Sequence, residues 1–190
     1  MNEKDKIREL LFSKNCVTMC NEINSETMKK IKDETIEKVR AFIENCTPLL
    51  ERNILFYISG CPGGTPSAGW ELKDFVEQVK KMNVTVYTLV GDRVASMGAV
   101  LACILAPEGN RYIFPHGEML IHQVLGQLSG QFADIKKQFK YMSDTNKTIM
   151  EALTESTNMS IEEIEAACDR DTTYNAEEAV RLGLADHILN

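Results

Sequence analysis

The chain has 190 residues, of which 44% are hydrophobic and 26% are charged. This length supports one buried core but is short for two, so residues 1–190 are expected to form a single domain. The formal net charge is -7 and no Lys/Arg-rich run occurs, which argues against binding to nucleic acid or anionic membranes. No segment reaches the roughly 18 apolar residues of a bilayer span, and the N-terminus lacks a signal-peptide pattern. We therefore expect a soluble, cytoplasmic protein.

Six cysteines bear on redox state and metal binding. No two of them form a CxxC pair, and Cys16 and Cys20 have no histidine beside them. A disulfide scaffold or a zinc site would need denser or differently spaced cysteines. We therefore expect no metal and no cofactor, and we expect reduced thiols at Cys16, Cys20, Cys46, Cys61, Cys103 and Cys168.

The first half of the chain alternates between helical and strand-like patterns. Apolar residues at three- and four-residue steps predict a helix over 24–43, after an N-terminal segment, 1–23, to which no element is assigned. A β-branched and aromatic run predicts a buried strand over 53–59 that ends in a glycine-rich loop. The next predicted elements are a helix through 72–82, a strand over 84–90, a turn over 91–95 and a buried apolar helix over 96–106.

The second half begins with two short extended runs, 111–115 and 119–124, separated by a polar turn. Near the C-terminus, Ser160 and Glu163 form the S-x-x-E pattern of a capping box, which predicts the start of a short helix. The remaining predicted elements are an extended piece at 171–174, a helix capped by Asn175 that ends at Gly183, and a closing segment at 184–189.

The order of these elements predicts the fold class. Strands alternating with helices are typical of an α/β fold with a largely parallel sheet. Right-handed crossovers would bring the loops that follow the strands to one edge, where sites in open α/β sheets usually form.

The segment 131–156 predicts one unusually long helix. Its apolar positions repeat at nearly seven residues, and no proline or glycine interrupts it. Such a helix is on the order of 40 Å long, more than a domain of this size easily covers with its own core. We therefore expect it to protrude and to pack against a partner.

Ser96 lies between the predicted turn and the buried apolar helix. One interpretation is an ordinary N-cap serine, since serine is a common helix cap. The other is a nucleophile, because the Met97 N–H at a helix start lacks an intrahelical acceptor and the helix dipole favours a developing oxyanion.

A nucleophilic hydroxyl needs a base and a group that orients the base. His122 lies at the end of an apolar extended run and Asp171 lies at a helix-to-strand junction. Each has an ordinary alternative, a hydrogen-bonded core histidine and a solvated surface carboxylate. In the adjacent glycine-rich loop, the absence of Cβ atoms at Gly63 and Gly64 would let a backbone N–H approach a ligand, although a tight turn is the simpler interpretation.

Five short motifs together resemble one enzyme family. They occur in the family's order and at nearly its spacing, and they are Pro62-Gly63-Gly64, Ala95-Ser96-Met97-Gly98-Ala99, Met119-Leu120-Ile121-His122-Gln123, Gly130-Gln131-Phe132-Ala133-Asp134-Ile135 and Asp169-Arg170-Asp171. From Asn53 to the C-terminus the chain resembles the proteolytic subunit of the caseinolytic (Clp) ATP-dependent protease. The resemblance implies a spiral β-α-β core of the ClpP/crotonase type, with 131–156 as its protruding handle helix.

The resemblance also implies roles for individual residues. Ser96 would be the nucleophile, His122 the general base and Asp171 a buried carboxylate that orients the imidazole, with the Gly63 and Met97 amides as the oxyanion hole. The handle would join two seven-membered rings, and an AAA+ unfoldase would feed unfolded protein into their chamber. The residues implied at the ring-to-ring contact are Gln131, Asp134, Asp169 and Arg170.

The chain departs from the family pattern in several places. Gly60-Cys61 replaces the usual Asn-Ser before Pro-Gly-Gly, and Val124 replaces a proline. Residues 1–23, the first predicted helix and residues 47–53 match the pattern poorly. The main prediction is a serine endopeptidase, and two alternatives remain open: a catalytically silent ring subunit and a crotonase-like acyl-CoA enzyme.

Overall fold

The computed structural model describes residues 2–190, within which the chain forms eight strands and seven α-helices. The strands are β1 (Cys16–Met19), β2 (Asn53–Ile58), β3 (Thr85–Val90), β4 (Arg93–Ala95), β5 (Arg111–Ile113), β6 (Glu118–Ile121), β7 (Thr172–Asn175) and β8 (His187–Ile188). The helices are α1 (Glu3–Leu11), α2 (Ser25–Glu44), α3 (Pro66–Lys81), α4 (Met97–Ile104), α5 (Phe132–Ser156), α6 (Ile161–Cys168) and α7 (Ala176–Arg181).

The strands form two sheets. The larger has the order β1-β2-β3-β5-β8, and each neighbouring pair is parallel. The smaller has the order β4-β6-β7, in which β4 and β6 are parallel and β7 is antiparallel to β6. Parallel neighbours need crossover connections, and helices supply most of them here. The predicted α/β fold with a largely parallel sheet is confirmed.

The main core lies around α4, all eight residues of which are buried. This helix has no charged side chain, so it can only be stable with protein on every side. A second apolar cluster lies on the other face of the larger sheet, where α1 places Ile7 and Leu10 against Tyr87 and Tyr112. The two clusters cover both faces of the sheet, as a parallel sheet requires.

The predicted turn over 91–95 is wrong in part, because residues 93–95 form β4. Three residues are too short for an alternating pattern to be visible in the sequence. The strand exists because β6 lies beside it and supplies its hydrogen-bond partners. This pairing matters for the site, since β4 leads directly into Ser96.

The N-terminal segment contains α1 and β1, neither of which was assigned from the sequence. The side chain of Asn2 caps α1 by accepting a hydrogen bond from the Asp5 N–H at 2.8 Å. In β1, Val17 and Met19 are buried while their neighbours are not. The Asn2 cap and the alternating pattern of β1 are both local sequence patterns. Each covers too few residues to be distinguished from an ordinary polar segment in the sequence alone.

Helix α5 spans 25 residues and is buried only toward its C-terminal end. Its buried residues, Ile149, Met150 and Leu153, all lie in the C-terminal half. In the N-terminal half, Phe132 is 73% exposed, and the Lys136 ammonium lies 4.6 Å from the centre of its ring. The predicted long helix is confirmed, whereas its protrusion and its packing against a partner stay predictions.

Among residues 2–190, no helix is both long and apolar enough to span a bilayer. All six cysteines are free thiols. In the same described range, no three His, Cys, Asp or Glu side chains are grouped as metal ligands would be.

Candidate active site

The smaller sheet brings Ser96, His122 and Asp171 to one edge. Ser96 directly follows β4, His122 directly follows β6, and Asp171 directly precedes β7. Because β4 and β6 are parallel, their carboxyl ends lie together, and the first residue of antiparallel β7 pairs with the last residue of β6. Side chains separated by dozens of residues in sequence therefore converge at this edge.

Ser96 has a strained backbone, with φ 56° and ψ -132°. Its N–H donates to the Leu120 carbonyl in β6 at 2.9 Å, which holds the turn in this conformation. A positive φ costs an ordinary L-residue about 1–2 kcal/mol, so the surrounding contacts must enforce it. The hydroxyl makes no capping hydrogen bond to α4. The ordinary N-cap interpretation therefore does not describe what this side chain does.

Ser96 and His122 line the same cavity, with a volume of about 280 Å³. We call it the Ser96 cavity. Polar groups are few there, and most of the wall is apolar side chains, among them Pro62, Pro66, Met97, Val100, Val124, Leu125 and Ile149. An apolar cleft with a few convergent polar groups is the usual form of a ligand site.

His122 and Asp171 are close but not hydrogen-bonded. The distance from His122 Nδ1 to the nearer Asp171 carboxylate oxygen is 3.9 Å, which is too long for a hydrogen bond. Nδ1 is buried and has no hydrogen-bond partner among residues 2–190. A buried nitrogen without a partner is costly, and the Asp171 carboxylate is the nearby acceptor that could satisfy it.

The expectation that Asp171 is buried is wrong, since its side chain is 73% exposed whereas that of His122 is 12% exposed. The physical reason is that β7 is an edge strand of the smaller sheet. Among residues 2–190 no strand pairs with the outer side of β7, so the residue just before that strand is open to solvent.

Gly63 packs directly against the Ser96 turn. A Cβ at Gly63 would lie 2.5 Å from Ser96 Cβ, 2.7 Å from the Ala95 carbonyl oxygen and 3.1 Å from the Met97 nitrogen. Only glycine allows this approach, and its φ of +93° also favours glycine. The backbone amides of Gly63 and Met97 thus belong to segments in contact, as the predicted oxyanion hole requires.

The glycine loop, defined here as residues 60–65, already has a partner on one edge. The Ile23 N–H donates to the Gly63 carbonyl at 2.7 Å, and the Thr65 N–H donates to the Ile23 carbonyl at 2.7 Å. Ile23 and Gly64 accordingly form a parallel bridge. In extended backbone, successive residues point their polar groups to opposite edges, so the Gly64 N–H and C=O face away from Ile23.

The residues implied at the ring contact lie outside the Ser96 cavity. All four are exposed; Gln131 immediately precedes α5 and Asp134 lies in its first turn, while Asp169 and Arg170 lie between α6 and β7. The last pair is close to the site, because the Gln123 side-chain amide donates to the Asp169 carbonyl at 3.4 Å.

Several supporting residues were not identified from the sequence. The Gln123 N–H donates to the Cys168 carbonyl at 3.0 Å, and the Asn146 side chain accepts from the Val124 N–H at 3.0 Å. These bonds hold the segment after His122 between α5 and α6. Each joins residues more than 20 positions apart, so no spacing in the sequence could reveal them.

Comparison with known proteins identifies the family of the chain. The family described as Clp protease matches residues 1–190. The chain belongs to the Clp protease family. The match includes the N-terminal segment and the first helices, so the resemblance extends upstream of Asn53.

Three curated Clp relatives show how similar the chain is to named proteins. It is 38% identical to "ATP-dependent Clp protease proteolytic subunit 1" of Protochlamydia amoebophila over 72% of this chain and 65% of the relative. It is 39% identical to the protein of the same name from Chlamydia abortus, over 71% of this chain and 69% of the relative. It is 31% identical to "ATP-dependent Clp protease proteolytic subunit 2" of Mycolicibacterium paratuberculosis over 100% of this chain and 89% of the relative. The first match spans just under two thirds of the relative's own length.

Proposed function

We propose that this chain is a serine endopeptidase of the Clp type that hydrolyses peptide bonds of unfolded proteins. The observation that carries the proposal is the shared Ser96 cavity, in which a strained serine at a helix start lies in one apolar cleft with a histidine. A strained serine in a cleft with a base is the usual arrangement of a nucleophile.

The peptide substrate would bind as an added strand along the glycine loop. Ile23 occupies one edge of that loop, and the free Gly64 N–H and C=O are on the opposite edge. Gly64 also lines the Ser96 cavity, so a strand on the free edge would pass the serine. Main-chain hydrogen bonds are largely indifferent to side chains, and broad specificity is expected, with apolar side chains favoured by the cavity wall.

The chemistry follows from the residues in the cavity. His122 takes the Ser96 hydroxyl proton while Oγ attacks the scissile carbonyl carbon, and the carbonyl oxygen becomes an oxyanion near the Met97 and Gly63 amides. Collapse breaks the C–N bond, and the proton held by His122 passes to the leaving amine. A water molecule then hydrolyses the acyl-enzyme with His122 again acting as base.

Asp171 would complete the triad by accepting a hydrogen bond from His122 Nδ1. The present 3.9 Å separation requires a small movement of an exposed side chain. Assembly into two stacked heptameric rings would supply the constraint, through contacts of Gln131, Asp134, Asp169 and Arg170 with the facing ring. An AAA+ unfoldase is the expected partner that delivers unfolded chains to this chamber.

Labelling with a fluorophosphonate and hydrolysis of a fluorogenic peptide together test the nucleophile. Only an activated hydroxyl reacts readily with the probe, so the wild-type chain should be labelled at Ser96. Ser96→Ala should lose both labelling and hydrolysis, the latter by up to roughly a million-fold in kcat. Ser25→Ala, which changes an exposed serine at the start of α2, should retain both.

Equal labelling of wild type and Ser96→Ala would contradict the nucleophile assignment. Rings that form but show neither labelling nor hydrolysis, even with an unfoldase supplied, would instead support a silent ring subunit. That alternative is favoured by one observation, the exposed Asp171 that does not yet bond His122. Turnover of an acyl-CoA without serine labelling would support the crotonase-like alternative.

A further inference from the structure

Cys61 connects three parts of the candidate site. It is 1% exposed. Its thiol donates to the Asn21 carbonyl at 3.4 Å, and its own carbonyl accepts from the Ala95 N–H at 2.9 Å. One bond reaches the segment between β1 and α2, and the other reaches the residue just before Ser96. Cys61 therefore joins the N-terminal segment to the turn that carries the serine.

The Cys61 sulfur also packs on the first turn of α4. A Cβ at Gly98 would lie 2.8 Å from Sγ and 3.3 Å from the Cys61 carbonyl oxygen, so the helix start rests on this residue. Burial raises the pKa of the Cys61 thiol, while the nearby Gly63 N–H acts in the opposite direction. The thiol is accordingly neutral at pH 7, able to donate to Asn21 while its sulfur faces the Gly63 amide.

We propose that Cys61 is a positioning residue whose thiol keeps the Gly63 amide beside Ser96 by tying the glycine loop to Asn21, while the backbone carbonyl of the same residue bonds Ala95. The inference rests on the proposed peptidase function, in which Gly63 stabilises the oxyanion. Cys61 does not touch the substrate. It acts through the loop that follows it, so its loss should weaken transition-state stabilisation more than substrate binding.

The test compares Cys61→Ala and Cys61→Ser with Cys103→Ala in the assembled protein. Cys103 is a matched control, because it is also buried and its thiol also donates to a carbonyl, that of Leu184, at 3.4 Å. Cys61→Ala should lower kcat for a fluorogenic peptide by about tenfold and change KM by less than about twofold. Cys61→Ser, which keeps a donor, should recover most of kcat, and Cys103→Ala should keep wild-type kcat.

Hydrogen exchange gives a readout that does not require activity. Cys61→Ala should speed exchange of the Ile23 and Thr65 amides, which bond across the glycine loop, while Cys103→Ala should leave them protected. A Cys61→Ala protein with wild-type kcat and unchanged exchange at these amides overturns the proposal, even if its unfolding midpoint falls. If the wild-type chain cleaves nothing, the peptidase proposal fails, and the exchange comparison alone decides whether Cys61 holds the loop.

Discussion

Individual backbone conformations determine what the candidate site can do. Ser96 and Gly63 both have positive φ, and they touch each other. Ser96 lines the same cavity as His122, and the absence of a Cβ at Gly63 lets the glycine loop contact the Ser96 turn. The Ser96 conformation is held by the hydrogen bond from its N–H to the Leu120 carbonyl of β6, so the site depends on a residue that takes no part in the proposed chemistry.

Substitution of Gly63 by alanine should separate backbone strain from steric conflict. Gly63→Ala forces an alanine to adopt a positive φ and also places a Cβ 2.5 Å from Ser96 Cβ. Gly109→Ala adds a similar strain at φ +90° but meets nothing within 4 Å. Urea unfolding should show a loss of about 1–2 kcal/mol for Gly109→Ala with activity kept. Gly63→Ala should lose about a hundredfold or more in kcat.

Comparable peptidase activity in the two alanine variants would show that close approach at Gly63 is unimportant. Loss of activity only in proportion to lost stability would lead to the same conclusion. Either result would remove the Gly63 amide from the proposed oxyanion hole.

Helix α5 has exposed aromatic side chains in its N-terminal half. Its C-terminal half packs on α4 and α6, while Phe132 and Phe139 in the other half, seven residues apart and therefore on one face, are 73% and 64% exposed. Aromatic side chains at this exposure on one helix indicate a surface that pairs with another molecule. In the proposed assembly, that surface meets the same helix of the facing ring.

Substitution of Phe139 by glutamate should weaken assembly without unfolding the chain. Phe139 is 64% exposed, so a glutamate at this position stays in water and costs little stability within one subunit. In a packed interface the same charge would be buried, which is costly. Lys137→Glu, on a different face of α5, is the control and should assemble as the wild type does. Sedimentation velocity would measure the assembled fraction, and thermal unfolding would confirm that both variants fold.

Identical sedimentation of Phe139→Glu and the wild type would show that this half of α5 is not an assembly surface. The proposed double ring would then need a different contact, and the four exposed residues near α5 and β7 would lose their implied role.

A buried ion pair links the sheet to the end of α5. The Arg111 guanidinium in β5 bonds the Asp186 carboxylate, with Nε to Oδ2 at 2.9 Å, and it also donates to the Ser156 carbonyl, where α5 ends. Burial would lower the pKa of Arg111, but the hydrogen bond and charge of Asp186 outweigh it and raise the pKa. Arg111 therefore stays charged and depends on its partner.

Removal of that partner should destabilise the protein strongly. Asp186→Ala leaves a charged Arg111 buried, and losses of about 3–5 kcal/mol in the free energy of unfolding are typical of such changes. The control is Asp144→Ala, which breaks the exposed pair with Lys140 and should cost about 1 kcal/mol or less. Urea denaturation measures both, and an Asp186→Ala loss no greater than the control would mean that Arg111 finds another acceptor.

The local patterns predicted most of the framework. Helix α2, strands β2 and β3, buried α4, the long α5 and the Asn175 cap all follow from periodicity or from capping residues within a few positions. The position of Ser96 at the start of a buried helix also follows from a local pattern. Each of these features depends on residues that are neighbours in the sequence, so the amino-acid sequence alone was enough to predict it.

Contacts between distant residues could only be known from the folded chain. Strand β4 exists because β6 lies beside it, Ile23 occupies one edge of the glycine loop, and Asp171 is exposed because β7 is an edge strand. None of these leaves a periodic signal, because the partners are separated by tens of residues and pairing is a property of the assembled sheets. The sequence by itself determines which residue types are available to the candidate site. The distances and exposures on which the proposed chemistry depends are decided by packing in the tertiary structure.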